Sequence, residues 1–151
     1  MDVKHVKLLL DACQSAAHLD TLLPSLPEGV TPRCVRVIEQ IAQKTVVSGK
    51  VRVSDISEML DVTRPGITLV VRQLTEMGYV IKERDAQDSR VVYVSLTEAG
   101  QELHKRYVLD YHAHLTEVLS EIGDEGAEEI ASAISRVVQL ITSDTKANRA
   151  E

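Results

Sequence analysis

Apolar residues near the two ends of the chain recur at alternating steps of three and four positions, the spacing of one face of a helix. The first stripe predicts a helix that stops before Pro24, and the last predicts a helix followed by a polar, frayed tail from Ser143. The stripes are Val3, Val6, Leu10, Cys13 and Ala17, and Ala127, Ile130, Ile134, Val137 and Ile141. Each stripe must be buried against another surface. We therefore expect the end helices to pair with each other and with a second copy of the chain, as a homodimer.

A second helix is predicted to begin near residue 31, after the loop that follows Pro24. Thr31 is a suitable N-cap, and Pro32 is tolerated at the first helical position. This helix should end at Ser48-Gly49, and residues 51–53 should be extended. Its expected buried face consists of Val35, Ile38, Ile41 and Ala42.

Two short helices joined by a tight turn are predicted over residues 53–79. Ser54 is the expected N-cap of the first helix, which reaches about Leu60. Residues 61–64 form the turn, and the second helix runs from about Pro65 to Met77 with Gly78 as its C-cap. The residues expected to face inward are Ile56, Met59 and Leu60 on the first helix, and Ile67, Val70, Val71 and Leu74 on the second. This pattern indicates a helix-turn-helix.

A strand–turn–strand pattern follows directly. Residues 80–84 and 91–96 are predicted strands around a polar tip, with Val92, Val94 and Leu96 on one face. Thr97 should cap a long helix toward Ile122, broken at Gly123-Asp124. The predicted class is mainly α, a winged helix-turn-helix with terminal dimerisation helices. We expect one structural domain, made of residues 1–49, a DNA-binding lobe at 50–96, residues 97–142, and the tail 143–151.

The distribution of charge matters more than its total. The 151 residues carry a net charge of −6, which by itself disfavours a nucleic-acid partner. Residues 50–96, however, hold seven basic and seven acidic side chains, whereas residues 97–151 hold five and eleven. A local basic face is therefore compatible with the composition, and we expect moderate DNA affinity with clear salt sensitivity.

Cysteine usage and hydropathy bear on where the protein works. The chain start lacks the pattern of a signal peptide, and no stretch approaches the roughly 20 apolar residues that span a bilayer. Cys13 and Cys34 have neither a metal-ligand spacing nor that of a disulfide framework. We expect a cytoplasmic protein with no membrane partner and no cofactor.

With these elements in place, the chain resembles the MarR family of winged-helix transcription regulators over roughly residues 1–142. Asp88-Ser89-Arg90 followed by Val94-Ser-Leu96-Thr97-Glu-Ala-Gly100 is similar to that family's wing signature. Residues 53–79 resemble its helix-turn-helix, with the exit Met77-Gly78-Tyr79-Val80, and Val30-Thr31 resembles the start of its second helix. The resemblance implies a homodimer with intertwined terminal helices, bound to double-stranded DNA and released from a pseudo-palindromic operator by a small effector. We expect repression as the sign of regulation.

The resemblance also implies which residues contact DNA. The helix from Pro65 would enter the major groove, and the wing tip, through Arg90 oriented by Asp88, would touch the minor groove. The expected contact residues are Thr63, Arg64, Gly66, Thr68, Arg72, Lys82, Arg84, Asp88 and Arg90. Two alternatives stay open: Arg90 only fixes the turn by pairing with Asp88, and Lys82 and Arg84 are solvated strand charges. Thr63 and Arg64 both remain candidates for the helix cap.

The chain departs from the family pattern at three places. Leu69 stands where a basic residue is frequent, and Ser89 stands where a second basic residue at the wing tip is common. The joint at residues 44–50 is longer than usual. These differences put the operator sequence and the affinity in doubt.

A ligand pocket, a redox cysteine and a metal site are the weaker hypotheses. A small aromatic or phenolic effector is implied by the family, and its expected lining is His18, Arg33, Cys34, Val37, Tyr107 and Tyr111. Core packing of the two tyrosines is the alternative. Cys13 is a candidate peroxide sensor, although its place on an apolar stripe favours a plain buried thiol. His104, His112 and His114, with Cys34 or His18, lack the spacing of a one-face ligand pair, so we predict no metal.

Three function classes differ in how well these residues fit them. The leading one is a DNA-binding regulator, for which Arg64 and Arg90 argue. The second is a winged-helix module for protein–protein assembly without DNA binding, which the acidic net charge and Leu69 favour. The third is an enzyme, for which the sequence offers no nucleophile elbow, phosphate loop or metal-hydrolase motif. We therefore expect no catalytic activity.

Overall fold

The computed structural model describes residues 1–60 and 62–148, which form seven helices and a three-stranded sheet. Residue 61, part of the predicted turn, and residues 149–151 of the predicted tail lie outside the described residues. In chain order the elements are α1 (Val3–Ala17), a 3₁₀ turn (Leu19–Leu22), α2 (Pro32–Ser48), β1 (Val51–Arg52), α3 (Val53–Met59), α4 (Arg64–Glu76), β2 (Val80–Arg84), β3 (Val92–Leu96), α5 (Glu98–His104), a π turn (Lys105–Leu109), α6 (Asp110–Val118) and α7 (Gly123–Asn148). The predicted fold class is confirmed.

The chain divides into two compact units, residues 1–18 with 114–151, and residues 19–113. The second unit holds the helix-turn-helix and the sheet. It is larger than the predicted lobe of residues 50–96, because α2 and α5 pack on these elements. Its core is largely aliphatic, and its most deeply buried large side chains include Ile38, Ile41, Ile56, Ile67 and Leu74.

The sheet is antiparallel with β3 in the centre, between β1 and β2. Val80 pairs with Leu96 and Arg84 pairs with Val92, so β2 and β3 form the predicted hairpin. Val94 is buried where it faces the helices, whereas the tip of the hairpin projects away from the core. The sheet therefore supports a wing beside α4.

Local capping signals determine most helix starts. Thr31 Oγ1 accepts a hydrogen bond from the Cys34 N–H at 3.3 Å, and Thr97 Oγ1 accepts one from the Gly100 N–H at 3.0 Å. The prediction for Ser54 was wrong: α3 begins at Val53, because the Asp55 carboxylate accepts a hydrogen bond from the Arg52 N–H at 3.1 Å.

The inward face of α3 also differs from the prediction. Ile56 is fully buried, but Met59 is 44% exposed and Ser57 is buried in its place. Burial of Ser57 is tolerated because its hydroxyl donates a hydrogen bond to the Val62 carbonyl oxygen at 2.6 Å. This bond closes the turn that leads into α4.

The predicted long helix after Thr97 is interrupted. The π turn over residues 105–109 is closed by a hydrogen bond from the Asp110 N–H to the Lys105 carbonyl oxygen, and α6 ends at Val118, four residues early. Gly123, with φ of +69°, lies at the start of α7. In contrast, α7 continues into the stretch predicted to fray, where the Ser143 hydroxyl donates to the Gln139 carbonyl oxygen at 2.8 Å.

Candidate nucleic-acid interface

Helix α4 is positioned by its buried face. Ile67, Val70, Val71 and Leu74 pack into the core, so the opposite side of the helix faces solvent. Thr63, Arg64, Thr68, Leu69 and Arg72 are all exposed on that side or at its start. The structure therefore brings Thr63, Arg64 and Thr68 of the predicted recognition residues together on one accessible surface, whereas Gly66 is half-buried.

The start of α4 settles which residue precedes the helix. Thr63 is the N-cap with extended backbone, and its side chain makes no capping hydrogen bond. The first-turn N–H groups of α4 have no intrahelical partner, which gives this end a partial positive charge. The Thr68 hydroxyl donates to the Arg64 carbonyl oxygen at 2.9 Å, so its oxygen and its methyl group remain for an external contact.

The wing tip is held by carboxylates that accept backbone hydrogen bonds. Asp85 Oδ1 accepts from the N–H groups of Gln87 at 2.8 Å and Asp88 at 3.0 Å, which lowers the pKa of Asp85. Arg90 then pairs with Asp88 through two bonds, from Nε to Oδ1 at 3.0 Å and from Nη2 to Oδ2 at 3.1 Å. This pairing lowers the pKa of Asp88 and raises that of Arg90.

The paired arginine remains accessible. The Arg90 side chain is 88% exposed, whereas that of Asp88 is 42% exposed. Because Asp88 also accepts the Arg90 backbone N–H at 3.0 Å, the carboxylate holds both the main chain and the guanidinium of the same residue. Asp88 therefore orients Arg90 without covering it.

A cleft of about 390 Å³, here called the wing cleft, separates α4 from the wing. Its lining is Arg52, Val53, Ser54, Arg64, Thr68, Val71, Lys82, Arg90, Val91 and Val92. Four of these side chains are cations and none is a carboxylate, so the wing cleft is suited to an anion such as a phosphate backbone. Arg52 was not among the predicted contact residues. The only available signal was the alternation in β1, where Val51 is buried and Arg52 is exposed.

The remaining predicted cations lie outside the wing cleft. Arg72 lies with Arg64, Pro65, Thr68 and Leu69 along a shallow depression on α4. Its Nε is 3.7 Å from Glu76 Oε1 in an exposed ion pair. Arg84 ends β2 and is exposed.

The predicted effector-pocket residues are not all brought together. Cys34 and Val37 are fully buried, and Tyr107 is 6% exposed, so these three are part of the core. The Tyr107 hydroxyl donates to the Ser25 carbonyl oxygen at 3.2 Å. The Tyr111 hydroxyl donates to the Leu22 carbonyl oxygen at 3.5 Å. Both tyrosines therefore donate hydrogen bonds to the backbone of the segment that precedes α2.

Two further residues of that set lie elsewhere. Arg33 is exposed, and its guanidinium lies against Gly66 at the start of α4, because Cys34 and Val35 occupy the buried side of α2. His18 belongs to the unit formed by the two chain ends.

Known proteins with similar sequences are described as transcriptional regulators. Residues 35–107 match the family model described as transcriptional regulator SarA/Rot. The chain is 24% identical to the HTH-type transcriptional repressor MdtR of Bacillus subtilis, over 95% of this chain and 90% of that protein. It is 25% identical to the HTH-type transcriptional regulator FarR of Neisseria gonorrhoeae, over 98% and 92%.

Solved structures share the fold along nearly the whole chain. FabT of Streptococcus pneumoniae, in complex with DNA, has a TM-score of 0.70 at 20% identity, over 94% of this chain and 99% of that chain. PcaV of Streptomyces coelicolor, in complex with its natural ligand, has a TM-score of 0.68 at 23% identity, over 92% and 96%. The predicted resemblance to the MarR family of winged-helix transcription regulators is confirmed. The chain is a DNA-binding regulator, and its relatives are regulators rather than enzymes.

The remaining candidate sites consist of cysteine and histidine side chains. Cys13 is half-buried on α1, and Cys34 is buried. Burial lowers the pKa of His104, an effect that neighbouring Glu39 opposes and His112 reinforces. Within residues 1–60 and 62–148, no group of three or more His, Cys, Asp or Glu side chains is arranged to hold a metal ion. Over the same residues no helix has the length and apolar character needed to cross a membrane.

Proposed function

We propose that this chain is a homodimeric, cytoplasmic repressor that binds a pseudo-palindromic operator through α4 and the wing. The observation that carries the proposal is the wing cleft, in which cations from α4, β1, β2 and the wing face one another. In this proposal α4 lies in the major groove, with Thr63, Arg64 and Thr68 nearest the bases and Gly66 within the same first turns. Arg90 then reaches the adjacent minor groove, whose negative potential attracts a guanidinium.

Different contacts have different roles in this proposal. Arg72, Lys82 and Arg84 contribute phosphate contacts, which fix the register of the protein without reading the sequence. Thr68 offers a methyl group that fits the C5-methyl of thymine. Asp88 contributes indirectly, because it holds the guanidinium of Arg90 in place.

Homodimer formation is supported by apolar residues that a single chain leaves exposed. On α1, Val3, Leu8 and Leu10 are 81%, 65% and 47% exposed. On α7, Ile130, Val138, Leu140 and Ile141 are each at least half exposed. Fully burying one such side chain contributes about 1.5–3 kcal/mol, so a second copy covering these helices would form a stable dimer. A dimer also presents two α4 helices to half-sites about one helical turn apart.

An effector completes the proposed cycle. We expect a small aromatic or phenolic molecule, in line with the ligand-bound state of the structurally similar PcaV. Such a molecule can release DNA only if it binds the DNA-incompetent form of the dimer more tightly.

DNA binding is tested by fluorescence anisotropy with a fragment from upstream of the gene, at two salt concentrations. Arg90→Ala should weaken binding by at least tenfold while leaving the melting temperature nearly unchanged, because the side chain is exposed. Lys105→Ala is the matched control, since it removes an exposed cation outside the wing cleft. Equal affinity of Arg90→Ala and wild type would contradict the proposed contact. Absence of binding by wild type would favour a protein–protein module, for which exposed Leu69 is a suitable contact.

The dimer is tested by sedimentation equilibrium of α7 variants. Ile130→Glu places a charge on the apolar stripe, and we expect it to shift the protein to monomer because a buried unpaired charge is costly. Ser132→Glu adds the same charge on the other side of the helix and should leave the dimer intact. A monomeric wild type, or a dimeric Ile130→Glu variant, would refute this interface.

A further inference from the structure

The start of α2 fixes the position of Arg33. Thr31 caps the helix and Pro32 occupies its first position, so Arg33 is the second residue of a well-defined first turn. The following residues, Cys34 and Val35, are buried. Arg33 therefore leaves α2 on its exposed side, and its backbone is held by the core on the other.

The guanidinium of Arg33 lies against the first turn of α4. A Cβ atom built on Gly66 would stand 2.9 Å from Arg33 Nη2, closer than such atoms normally approach. Gly66 is in a helix and has no positive φ, so its backbone conformation does not require glycine. Glycine is also the poorest helix former after proline. The missing side chain instead leaves the space that the guanidinium occupies.

The charge of Arg33 is not paired within the part of the chain that the structure describes. No carboxylate of residues 1–60 or 62–148 forms an ion pair with it. The neighbouring surface is a groove whose lining, among the described residues, is Thr31, Pro32, Arg33, Arg36, Leu60 and Val62, none of them acidic. A fixed cation with this environment is suited to an external anion.

Helical spacing places Arg33 on the opposite flank of α4 from the wing. Arg64 and Thr68 line the wing cleft, and Gly66, two residues from each, faces about 200° away from them. A helix in the major groove has one phosphate backbone on each side. The cations of the wing cleft serve one side, so the other side needs a cation from another element.

We propose that Arg33 binds an operator phosphate on the flank of α4 away from the wing, and that Gly66 provides the space for its guanidinium. This inference rests on the proposed DNA-binding function. It moves Arg33 from the expected effector pocket to the DNA interface. It also gives Gly66 a role other than its own close approach to the groove.

The test is a salt titration of operator binding by full-length wild type, Arg33→Ala, Gly66→Ala and the double variant. Each lost phosphate contact lowers the slope of log K against log salt by about 0.9, so the two Arg33 copies of a dimer should lower it by about 1.8. The affinity loss should then be about 12-fold larger at about 50 mM than at about 200 mM salt. Lys105→Ala controls for the removed charge.

Gly66→Ala separates the two roles of the glycine. Displacing the flexible end of Arg33 costs little folding stability, so this variant should melt at or above the wild-type temperature and still bind DNA more weakly. In the Arg33→Ala background it should have no further effect on binding, because the contact is already lost.

Three results would overturn the inference. An Arg33→Ala variant with the wild-type salt slope would remove the phosphate contact. A Gly66→Ala effect that persists undiminished in the Arg33→Ala background would show that the glycine itself approaches the groove. An unchanged slope together with loss of release by salicylate, used as the phenolic probe, would return Arg33 to the effector site. Failure of wild type to bind any upstream fragment would instead reject the proposed function and this inference with it.

Discussion

Gly100→Ala should destabilise the fold, because the backbone of another element occupies the place of the new methyl group. Gly100 is the third residue of α5 and is buried. A Cβ there would overlap the carbonyl oxygen of Tyr79 and stand 3.1 Å from its carbonyl carbon. That oxygen also accepts the Thr97 N–H at 3.1 Å, and Thr97 Oγ1 accepts the Gly100 N–H. Hydrogen bonds therefore join the residue after α4, Tyr79, to the first turn of α5 at this point.

The expected magnitude follows from two opposing terms. Overpacking a well-packed site costs about 1–3 kcal/mol, and a rigid carbonyl group favours the upper part of that range. Replacing glycine by alanine inside a helix returns about 1 kcal/mol. The net loss of about 1–2 kcal/mol corresponds to a fall in Tm of about 2–8 °C for a chain of this length.

Thermal and denaturant unfolding at one fixed protein concentration would measure this loss, since the stability of a dimer depends on concentration. Gly66→Ala is the matched control: it is the same substitution at the third residue of α4, where the end of the Arg33 side chain must move and the Thr63 side chain must shift slightly, but no backbone atom is in the way. Its Tm should equal or exceed that of wild type. A Gly100→Ala protein that melts as high as wild type would show that the contact between α5 and Tyr79 is not rigid.

Two further substitutions probe the α3–α4 turn and the half-buried His104. Ser57→Ala should lower stability by about 1 kcal/mol in urea unfolding, because it removes the hydrogen bond to the Val62 carbonyl oxygen, whereas Ser54→Ala should stay within about 0.5 kcal/mol. Burial lowers the pKa of His104 below its ordinary 6.5, so the unfolded chain binds the proton more readily and stability should fall as the pH drops through 6.5. His104→Gln should reduce that fall in urea midpoints, and an identical pH profile would contradict the assignment.

The sequence predicted an element correctly where the residues that begin or end it are neighbours in the chain. Thr31-Pro32 and Thr97 carry their caps within the next three residues, and the strand bounds at 80–84 followed from the turn between them. The prediction for Ser54 was wrong because the Asp55 carboxylate, inside the helix, accepts a hydrogen bond from the Arg52 N–H, so the N-cap is Arg52, two residues earlier. The π turn at residues 105–109 had no periodic signal that distinguishes it from an α-helix.

Only part of the candidate interface could be predicted from the sequence. Arg64, Lys82 and Arg90 lie in one segment whose motif indicates their use, and the wing cleft brings them together. Arg33 and Arg52 belong to α2 and β1, outside the recognition helix and the wing. They lie near α4 only because these elements pack together in the folded chain. Residues that reach a site through tertiary contacts leave no spacing pattern in the chain. Arg33 was therefore expected in the effector pocket instead of at the DNA interface.

A net charge of −6 does not oppose DNA binding if the charges that matter are local. Exposed charges separated by more than a Debye length, about 8 Å at physiological salt, are largely screened from each other. Most of the acidic excess belongs to residues 114–151, and none of the side chains that line the wing cleft is a carboxylate. The cations beside the phosphates therefore determine the affinity at physiological salt. Lowering the salt lengthens the range of the acidic repulsion, so the plot of log K against log salt should flatten at low salt rather than stay linear. A strictly linear plot down to about 10 mM, where the Debye length is about 30 Å, would show that the acidic residues do not repel the DNA measurably.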